Sequence, residues 1–419
     1  VAQLSDDCFA FGGALQQLNA ALDDLAAKLK PLAATERRIL SACDGHVLAE
    51  PLIAPTAVPG FRNSAVDGYA VRFDDLKTCE TTELPVSMRV PAGMLDVPPL
   101  AIGHAARIFT GAPMPSGADT VFMQEDVQDA EGHVILPPGL KRGANCREAG
   151  EDFAPGVLVL EAGRRLDARA MAAAAALGTR DLLVFRPLRV AVFSTGDELR
   201  PASFEGVLPP GAIRDANRPM LFSLLARRGI LATDLGILPD AREAIAEALT
   251  RAAQHHDVLL TSGGVSTGEE DHVRAAVEQA GRLDFWRLAI KPGRPIAMGR
   301  LGNAVLMGMP GNPAAVFVTF ARFVGPVLDM LGGGQPIRPF SRTVISDFSY
   351  RKKSGRREYV RVSLHTGKDA VVARRFPRDG AALISSLLQS DGLVELVEDR
   401  LTVEPGDPVP FFSYADLLL

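Results

Sequence analysis

Apolar positions change their spacing several times along this chain of 419 residues. Leu15, Leu18, Leu22, Leu25 and Leu29 recur at steps of three and four, which predicts an amphipathic helix stopped by Pro31. Its apolar stripe can pack in the chain's own core or against a second subunit. Residues 35–50 read as a second helix ending in a turn. From about 51 to 165 the pattern shortens. Apolar runs at 70–73, 86–90, 120–124, 134–136 and 157–160 alternate with Pro/Gly turns, so this stretch reads as β-rich, with a small domain inserted in another. Asp167 then reads as the N-cap of an alanine-rich helix over 168–177, closed by Gly178.

From 188 the pattern becomes β-α-β. Strands at 189–193, 233–238, 258–260 and 304–308 are followed by helices over 219–228, 241–254, 270–279 and 312–331. Such alternation implies a doubly wound, mostly parallel sheet with helices on both faces. Ligands of such sheets sit beyond the C-terminal ends of the strands. Gly332–Gly334 and Pro336 read as a linker, and 337–419 returns to short strands of a small β-barrel or sandwich.

Composition narrows the classes. The chain is 47% hydrophobic and 23% charged, which is ordinary for a globular protein too long for one core. A net charge of −5 gives no whole-protein attraction to nucleic acid, so an anionic substrate needs a local basic pocket. No stretch reads as 18 consecutive apolar residues, and no signal-peptide pattern opens the chain, so no membrane partner is expected. Cys8, Cys43, Cys79 and Cys146 are widely spaced, which argues against a zinc site or disulfide framework and suits a reducing cytoplasm.

The densest chemistry lies at 257–271, DVLLTSGGVSTGEED. A strand that breaks into glycines before a helix aims backbone N–H groups at an anion, so Ser262, Gly263, Gly264 and Ser266 are candidate phosphate ligands. The alternative is a tight turn that needs glycine at positive φ. The Lys–Ser/Thr ending of an ATP-binding loop is missing. Ser194, Thr195 and Gly196 follow the first parallel strand, with Glu198 placed to orient a ligand or metal. Asp240 reads as an N-cap; if the fold brings it to Asp271, the two carboxylates could share a divalent cation such as Mg²⁺. Lys291, Arg287 and Arg294 form a basic cluster around KPGRP, which reads as a solvated loop or as a Pro292–Gly293 turn that holds Lys291 toward an oxyanion. Pro310, Gly311 and Asn312 lead into a long helix with Asn312 as cap and Pro313 as first residue. Arg351, Lys352, Lys353, Arg356 and Arg357 flank a hairpin turn at Ser354–Gly355 and read as a solvated hairpin or an oxyanion clamp. Asp67 and Asp152 sit in turns. His255–His256 reads as a helix end beside its dipole.

In order, FRNSAVDGYAV, IFTGAPMPSGAD, REAGED, VFSTGDEL, IRDANRPML, TSGGVSTGEED, IKPGRP and MPGNP resemble the molybdopterin molybdenumtransferases, the MoeA family that includes the gephyrin E domain. The resemblance runs from about 10 to 415. It implies insertion of molybdenum from molybdate into adenylylated molybdopterin with release of AMP, assisted by Mg²⁺. It also implies an elongated N-terminal dimerisation region (1–62 and 144–187), an inserted β-rich domain (63–143), a molybdopterin-binding sheet domain (188–334) and a C-terminal barrel (337–419). The family's functional positions fall on Asp67, Thr110, Asp152, Glu198, Asp240, Asp271, Lys291, Arg356 and Ser385 or Ser386. A homodimer is implied, with Asp67, Thr110 and Asp152 reaching across the interface. The enzyme that adenylylates molybdopterin and apo-molybdoenzymes are implied partners. Arg287 and Arg294 stand where the family usually has lysine, and Ala381 where it has serine. Competing readings are an adenylyltransferase and a non-catalytic molybdopterin carrier or scaffold.

Overall fold

The computed structural model describes residues 15–263, 272–293, 295–368 and 370–418. The leucine stripe forms helix Leu18–Lys28, with Leu18 and Leu25 fully buried. Leu15 belongs instead to a two-residue strand, Leu15–Gln16, parallel to the strand Arg282–Leu288.

The second expected helix does not form. Residues 35–50 hold strand Thr35–Ile39, a 3₁₀ turn Leu40–Ala42 and strand Val47–Leu48. Both strands pair antiparallel with Asp181–Phe185, so a partner some 145 residues away overrides local propensity. Helix Ala168–Ala176 packs on this small sheet over Cys43, Leu48, Leu166, Leu182 and Val184. Asp167 caps it by accepting the Ala170 N–H at 2.9 Å.

The insert carries a six-stranded sheet, Gln128–Ala130, His133–Leu136, Thr82–Val90, Ala105–Ile108, Gly68–Val71 and Thr120–Met123 in spatial order. Alternate residues face two cores: Ala70, Ala106, Ile108 and Val121 on one side, Tyr69, Val71, Ala105 and Phe122 on the other. At Gly68 a Cβ would lie 1.7 Å from the Phe122 carbonyl oxygen, so only glycine can follow Asp67 there.

The sheet domain has seven strands, ordered Leu15–Gln16, Arg282–Leu288, Pro295–Leu301, Ala304–Met309, Val258–Ser262, Val190–Thr195 and Thr233–Leu238. The last four run parallel. Arg282–Leu288 and Pro295–Leu301, not expected as strands, form an antiparallel meander with the expected strand Ala304–Met309. Period two divides the core between the layers. Val190, Val192, Leu260, Val305 and Met307 face helices Leu18–Lys28, Asn217–Arg227 and the long C-terminal helix. Ala191, Phe193, Leu259 and Leu306 face Arg242–Ala253 and His272–Ala280. Each of these Val, Leu, Met and Phe side chains contributes roughly 1.5–3 kcal/mol by leaving water.

The long helix, Pro313–Leu331, has 19 residues and is apolar enough to cross a membrane, contrary to the expectation that no such stretch exists; nearly all of it is buried inside the fold, as in a core helix. It widens to a π turn at Phe320–Val324, just before Gly325–Pro326. Pro326 has no N–H to give the preceding turn, and the Arg228 guanidinium occupies the space of a Cβ at Gly325. Arg228 donates to the buried Asp329 at 2.6 Å.

The C-terminal region closes into a barrel. Arg357–Thr366, Val371–Arg375, Arg342–Ser346, Pro408–Ser413 and Gly392–Leu396 pair in that order, and the last returns to the first. Val344, Val360, Val362, Val394 and Phe411 fill it. Ile290–Lys291, from the sheet domain, adds to the barrel parallel to Arg357–Glu358.

Candidate active site

Three parallel strands end side by side, with Ser194, Ser262 and Met309 in register. Gly263 follows at φ +87°, donates to the Met309 carbonyl at 2.9 Å and lies against Gly311. Here the chain bends out of the sheet without a side chain in the way. The barrel lies across this edge, and between them opens a cavity of about 510 Å³. Gly263, Lys291, Met309, Gly311 and Asn312 line it from the sheet domain; Tyr350, Tyr359, Arg361, Arg375 and Asp379 line it from the barrel. A second cavity, about 330 Å³, shares Gly263, Gly311 and Asn312 and continues along Thr195, Glu198, Asp215, Asn217 and Ser262.

The first cavity is cationic. The Lys291 ammonium donates to Tyr350 Oη at 3.2 Å and to Glu358 Oε2 at 3.1 Å. Burial pulls its pKa down, but the bonds to Tyr350 and Glu358 outweigh this and hold it above the ordinary lysine value. Arg361 is buried, which lowers its guanidinium's pKa without discharging it. It donates to the Gly380 carbonyl at 3.3 Å, and its Nε is buried without a partner among the described residues. Arg375 stacks 4.7 Å from the Tyr350 ring centroid and bonds Asp379 at 2.5 Å; this bond outweighs partial burial and keeps the Asp379 carboxyl below its usual range. Asn312 occupies the cap position of the long helix, but its side chain makes no capping bond. One free N–H of that helix end, from Ala314, is taken by the Ala381 carbonyl at 2.9 Å.

The second cavity is more constrained. Ser194 Oγ donates to the buried Asp215 at 2.6 Å, and Asp215 is held by Arg218 at 3.1 Å. The serine hydroxyl is therefore committed within the protein. Asn217 Nδ2 clasps the Gly311 carbonyl at 2.6 Å, tying the two loops together. Gly196 has φ +139°, and the Glu198 carboxylate lies where its Cβ would stand. Asp240 follows strand Thr233–Leu238, but the cap of the next helix is Ala241, one residue later, so Asp240 is not the N-cap expected from sequence.

Other candidates lie elsewhere. Asp67 accepts from both the N–H and the hydroxyl of Thr110 at 2.7 Å, which lowers its pKa. Asp152 is exposed, and its N–H donates to the Val58 carbonyl. None of these three lines either cavity within the chain. Gly264, Ser266, Asp271 and Arg294 lie outside the described residues. Arg287 sits in strand register opposite Pro295. Pro310 lines the first cavity. Ser385 opens a short helix and lines neither cavity, and Ser386 Oγ is spent on the Leu383 carbonyl. His256 lies two residues past the helix cap Gln254, with Nδ1 at 2.8 Å from the Ala252 carbonyl of the last turn.

The basic segment does not form the expected hairpin. Tyr350–Arg351 pairs with Thr402–Val403, not with the strand after the turn. Lys352 is buried on the carbonyls of Arg356 and Glu398, and Arg357 is buried against Glu398 and Glu395. Arg356 faces Glu358 at 3.9 Å and lies outside both cavity linings. Arg361, five residues later, is the strand arginine that reaches the cavity. Its sequence signal was weak: an arginine between Val360 and Val362, in a strand that also carries Arg357 and Glu358. Tyr350, Glu358, Arg375 and Asp379 were also missed, and no short motif marks them. Among the described residues, no group of three His, Cys, Asp or Glu side chains is placed to hold a metal.

Comparison with known proteins matches three consecutive regions: MoeA N-terminal region (domain I and II) over 16–178, probable molybdopterin binding domain over 191–330, and MoeA C-terminal region (domain IV) over 343–414. The molybdopterin molybdenumtransferase of Haemophilus influenzae is 35% identical over 92% of this chain and 95% of its own length. That of Nostoc sp. is 37% identical over 82% of this chain and 80% of its own. Among solved structures, a molybdopterin biosynthesis moeA protein from Pyrococcus horikoshii OT3 superposes with a TM-score of 0.81, at 29% identity, over 96% of this chain and all of that one. The motifs, the closed barrel set against the strand ends and full-length relatives of that name agree: the chain belongs to the MoeA family of molybdopterin molybdenumtransferases.

Proposed function

We propose that this chain inserts molybdenum from molybdate into adenylylated molybdopterin and releases AMP, and that the joined cavities hold the two halves of that substrate. The observation that carries the reading is the cationic cavity of Lys291, Arg361 and Arg375 at the strand ends, continuous with a second cavity through Gly263, Gly311 and Asn312. A tetrahedral dianion such as molybdate needs fixed cations and donors in a partly desiccated site, and the first cavity supplies them. Tyr350 and Tyr359 give apolar walls for the reacting end of the cofactor. The Gly311–Asn312 turn at the start of the long helix suits the phosphates between the halves, while the Gly263 N–H is already spent on the Met309 carbonyl. The second cavity, walled by Thr195, Glu198 and Asn217, then takes the leaving nucleotide. The dithiolene belongs to the substrate, so the protein needs no sulfur ligands of its own.

Mg²⁺ fits this donor set as an ion shared with the substrate. It takes one or two carboxylates plus phosphate oxygens rather than an all-protein cage, and bound there it would offset pyrophosphate charge. Asp240, with its hard oxygens beyond a strand end of the same sheet, is the described residue that would hold it, with Asp271 as its expected companion. Asp67, Thr110 and Asp152 form part of the reading through a homodimer, in which they complete the site of the opposite subunit. The adenylating enzyme upstream and apo-molybdoenzymes downstream are its proposed partners.

The experiment is AMP release from adenylylated molybdopterin by the purified protein, with Mg²⁺, with and without molybdate. Molybdate-dependent release, with a product that reactivates an apo-molybdoenzyme, is expected. Tight binding without release would point to a carrier, and ATP-driven adenylylation to the preceding enzyme. The full-length match to molybdenumtransferases disfavours both.

A further inference from the structure

Glu358 is a carboxylate with almost no exposure in the floor beneath the cationic cavity. Backbone register sets it beside Lys291, because Ile290–Lys291 pairs with Arg357–Glu358 across the seam between sheet domain and barrel. Its Oε2 accepts from the Lys291 ammonium at 3.1 Å and from the Tyr350 hydroxyl at 2.6 Å. Tyr350 Oη in turn accepts from Lys291 at 3.2 Å, closing a triangle. Arg356 faces the other oxygen, Oε1, at 3.9 Å.

The triangle is costly by itself, since a buried carboxylate pairs its charge at the expense of desolvation and is often replaceable by an apolar residue. Its geometry has a different consequence. An ammonium has three donors, and two are fixed here on Tyr350 and Glu358. The third is thereby given a direction, which a lysine on a flexible stem otherwise lacks. Lys291 remains half-exposed and lines the cavity, so that direction can serve a ligand.

We propose that Glu358 and Tyr350 are positioning residues that aim the remaining N–H of Lys291 at a tetrahedral oxyanion in the first cavity and keep the ammonium charged beside its neighbouring arginines. The inference rests on the oxyanion reading of that cavity. The groups around Lys291 are Glu358 and Tyr350, the cations Arg356, Arg361 and Arg375, and the carboxylate of Asp379. The three arginines favour discharge of the lysine, and so does burial. Glu358 opposes them at contact distance, with Asp379 adding at longer range.

Competitive acetylation of the full-length protein across pH, read by mass spectrometry on the Lys291 peptide, tests this without reference to turnover. In Glu358→Gln, acetylation of Lys291 at pH 8 should be about tenfold faster than in wild type, a midpoint lowered by about one unit. Tyr350→Phe should shift it the same way by less, and Glu358→Asp should restore part of the difference. In parallel, calorimetric binding of molybdate should weaken about tenfold in Glu358→Gln, as expected for loss of a charge-assisted bond, and more at pH 9 than at pH 7. Unchanged labelling in both Glu358→Gln and Tyr350→Phe overturns the proposal. Should Glu358→Gln fail to fold, Tyr350→Phe decides alone, because it keeps the buried carboxylate. Shifted labelling in a protein whose wild type binds no molybdate would uphold the positioning and overturn the reading of the cavity.

Discussion

The two ends of one strand, Val258–Ser262, carry opposite solutions to the same electrostatic problem. At its start Asp257 is buried and fully answered: Arg186 donates to both its oxygens at 2.8 and 2.9 Å, Arg189 reaches it at 2.9 Å, and the Arg189 N–H adds a bond at 2.8 Å. Burial raises the carboxyl's pKa, but these bonds prevail and bring it to about 2. At its finish, past Ser262, the chain turns through Gly263 into a cavity where Lys291, Arg361 and Arg375 gather with less carboxylate than they could satisfy. A charge answered within the protein secures the fold. Positive charge held in excess at a cavity is held for a ligand. Similar arginines appear at both ends, so residue type alone does not separate the two roles.

The comparison can be broken most forcefully at Asp257. Asp257→Ala leaves two arginines facing each other and should cost about 3 kcal/mol in chemical denaturation, with turnover per folded molecule unchanged. The wild-type contribution depends on pH in a definite sense. The folded pKa lies below the unfolded one, so the stabilisation is complete above about pH 4 and is lost as pH falls toward 2. A loss of activity in the folded mutant would show that the two ends are not separable. Lys291→Ala attacks the other end. It should lower molybdate-dependent AMP release about 100-fold, the scale of one lost transition-state donor, and cost about 1–3 kcal/mol of stability, because the buried Glu358 carboxylate loses its cation. The smallest effect is the sharpest test of classification. Ser194 lies at a strand's functional end, but its hydroxyl is spent on Asp215. Ser194→Ala should therefore cost about 1 kcal/mol of stability and leave turnover within twofold. A large kinetic defect would return Ser194 to the substrate.

Much of the architecture was legible because its signals are local. Leucine spacing marked helix Leu18–Lys28, Asp167 marked a cap, and the β-α-β alternation marked the parallel strands and the end of the sheet where ligands bind. What stayed hidden depends on distant pairing. Thr35–Ile39 is a strand only because Asp181–Phe185 lies beside it. The meander strands Arg282–Leu288 and Pro295–Leu301 were masked by the Pro-Gly turn between them, which reads equally well as a loop. The candidate site divides in the same way. Lys291, Gly263 and Gly311 announced themselves through turn chemistry. Glu358, Arg361 and Arg375 come from barrel strands, and Tyr350 from a short strand paired with Thr402–Val403; their position over the sheet is a tertiary fact, and the motif-based choice of Arg356 missed Arg361 by five residues.

The two-residue strand Ile290–Lys291 has a consequence for modularity. It leaves the seven-stranded sheet, pairs with the barrel through Arg357 and Glu358, and returns to the sheet at Pro295–Leu301. The domains are thus stitched together at the lysine itself, not merely tethered by Gly332–Gly334. A fragment ending at the linker would keep every sheet strand and every glycine loop yet lose the register that fixes Lys291. Its deficit would lie in aim rather than in fold, and a barrel supplied as a separate chain would have to restore one short ladder of backbone hydrogen bonds before it restored anything else.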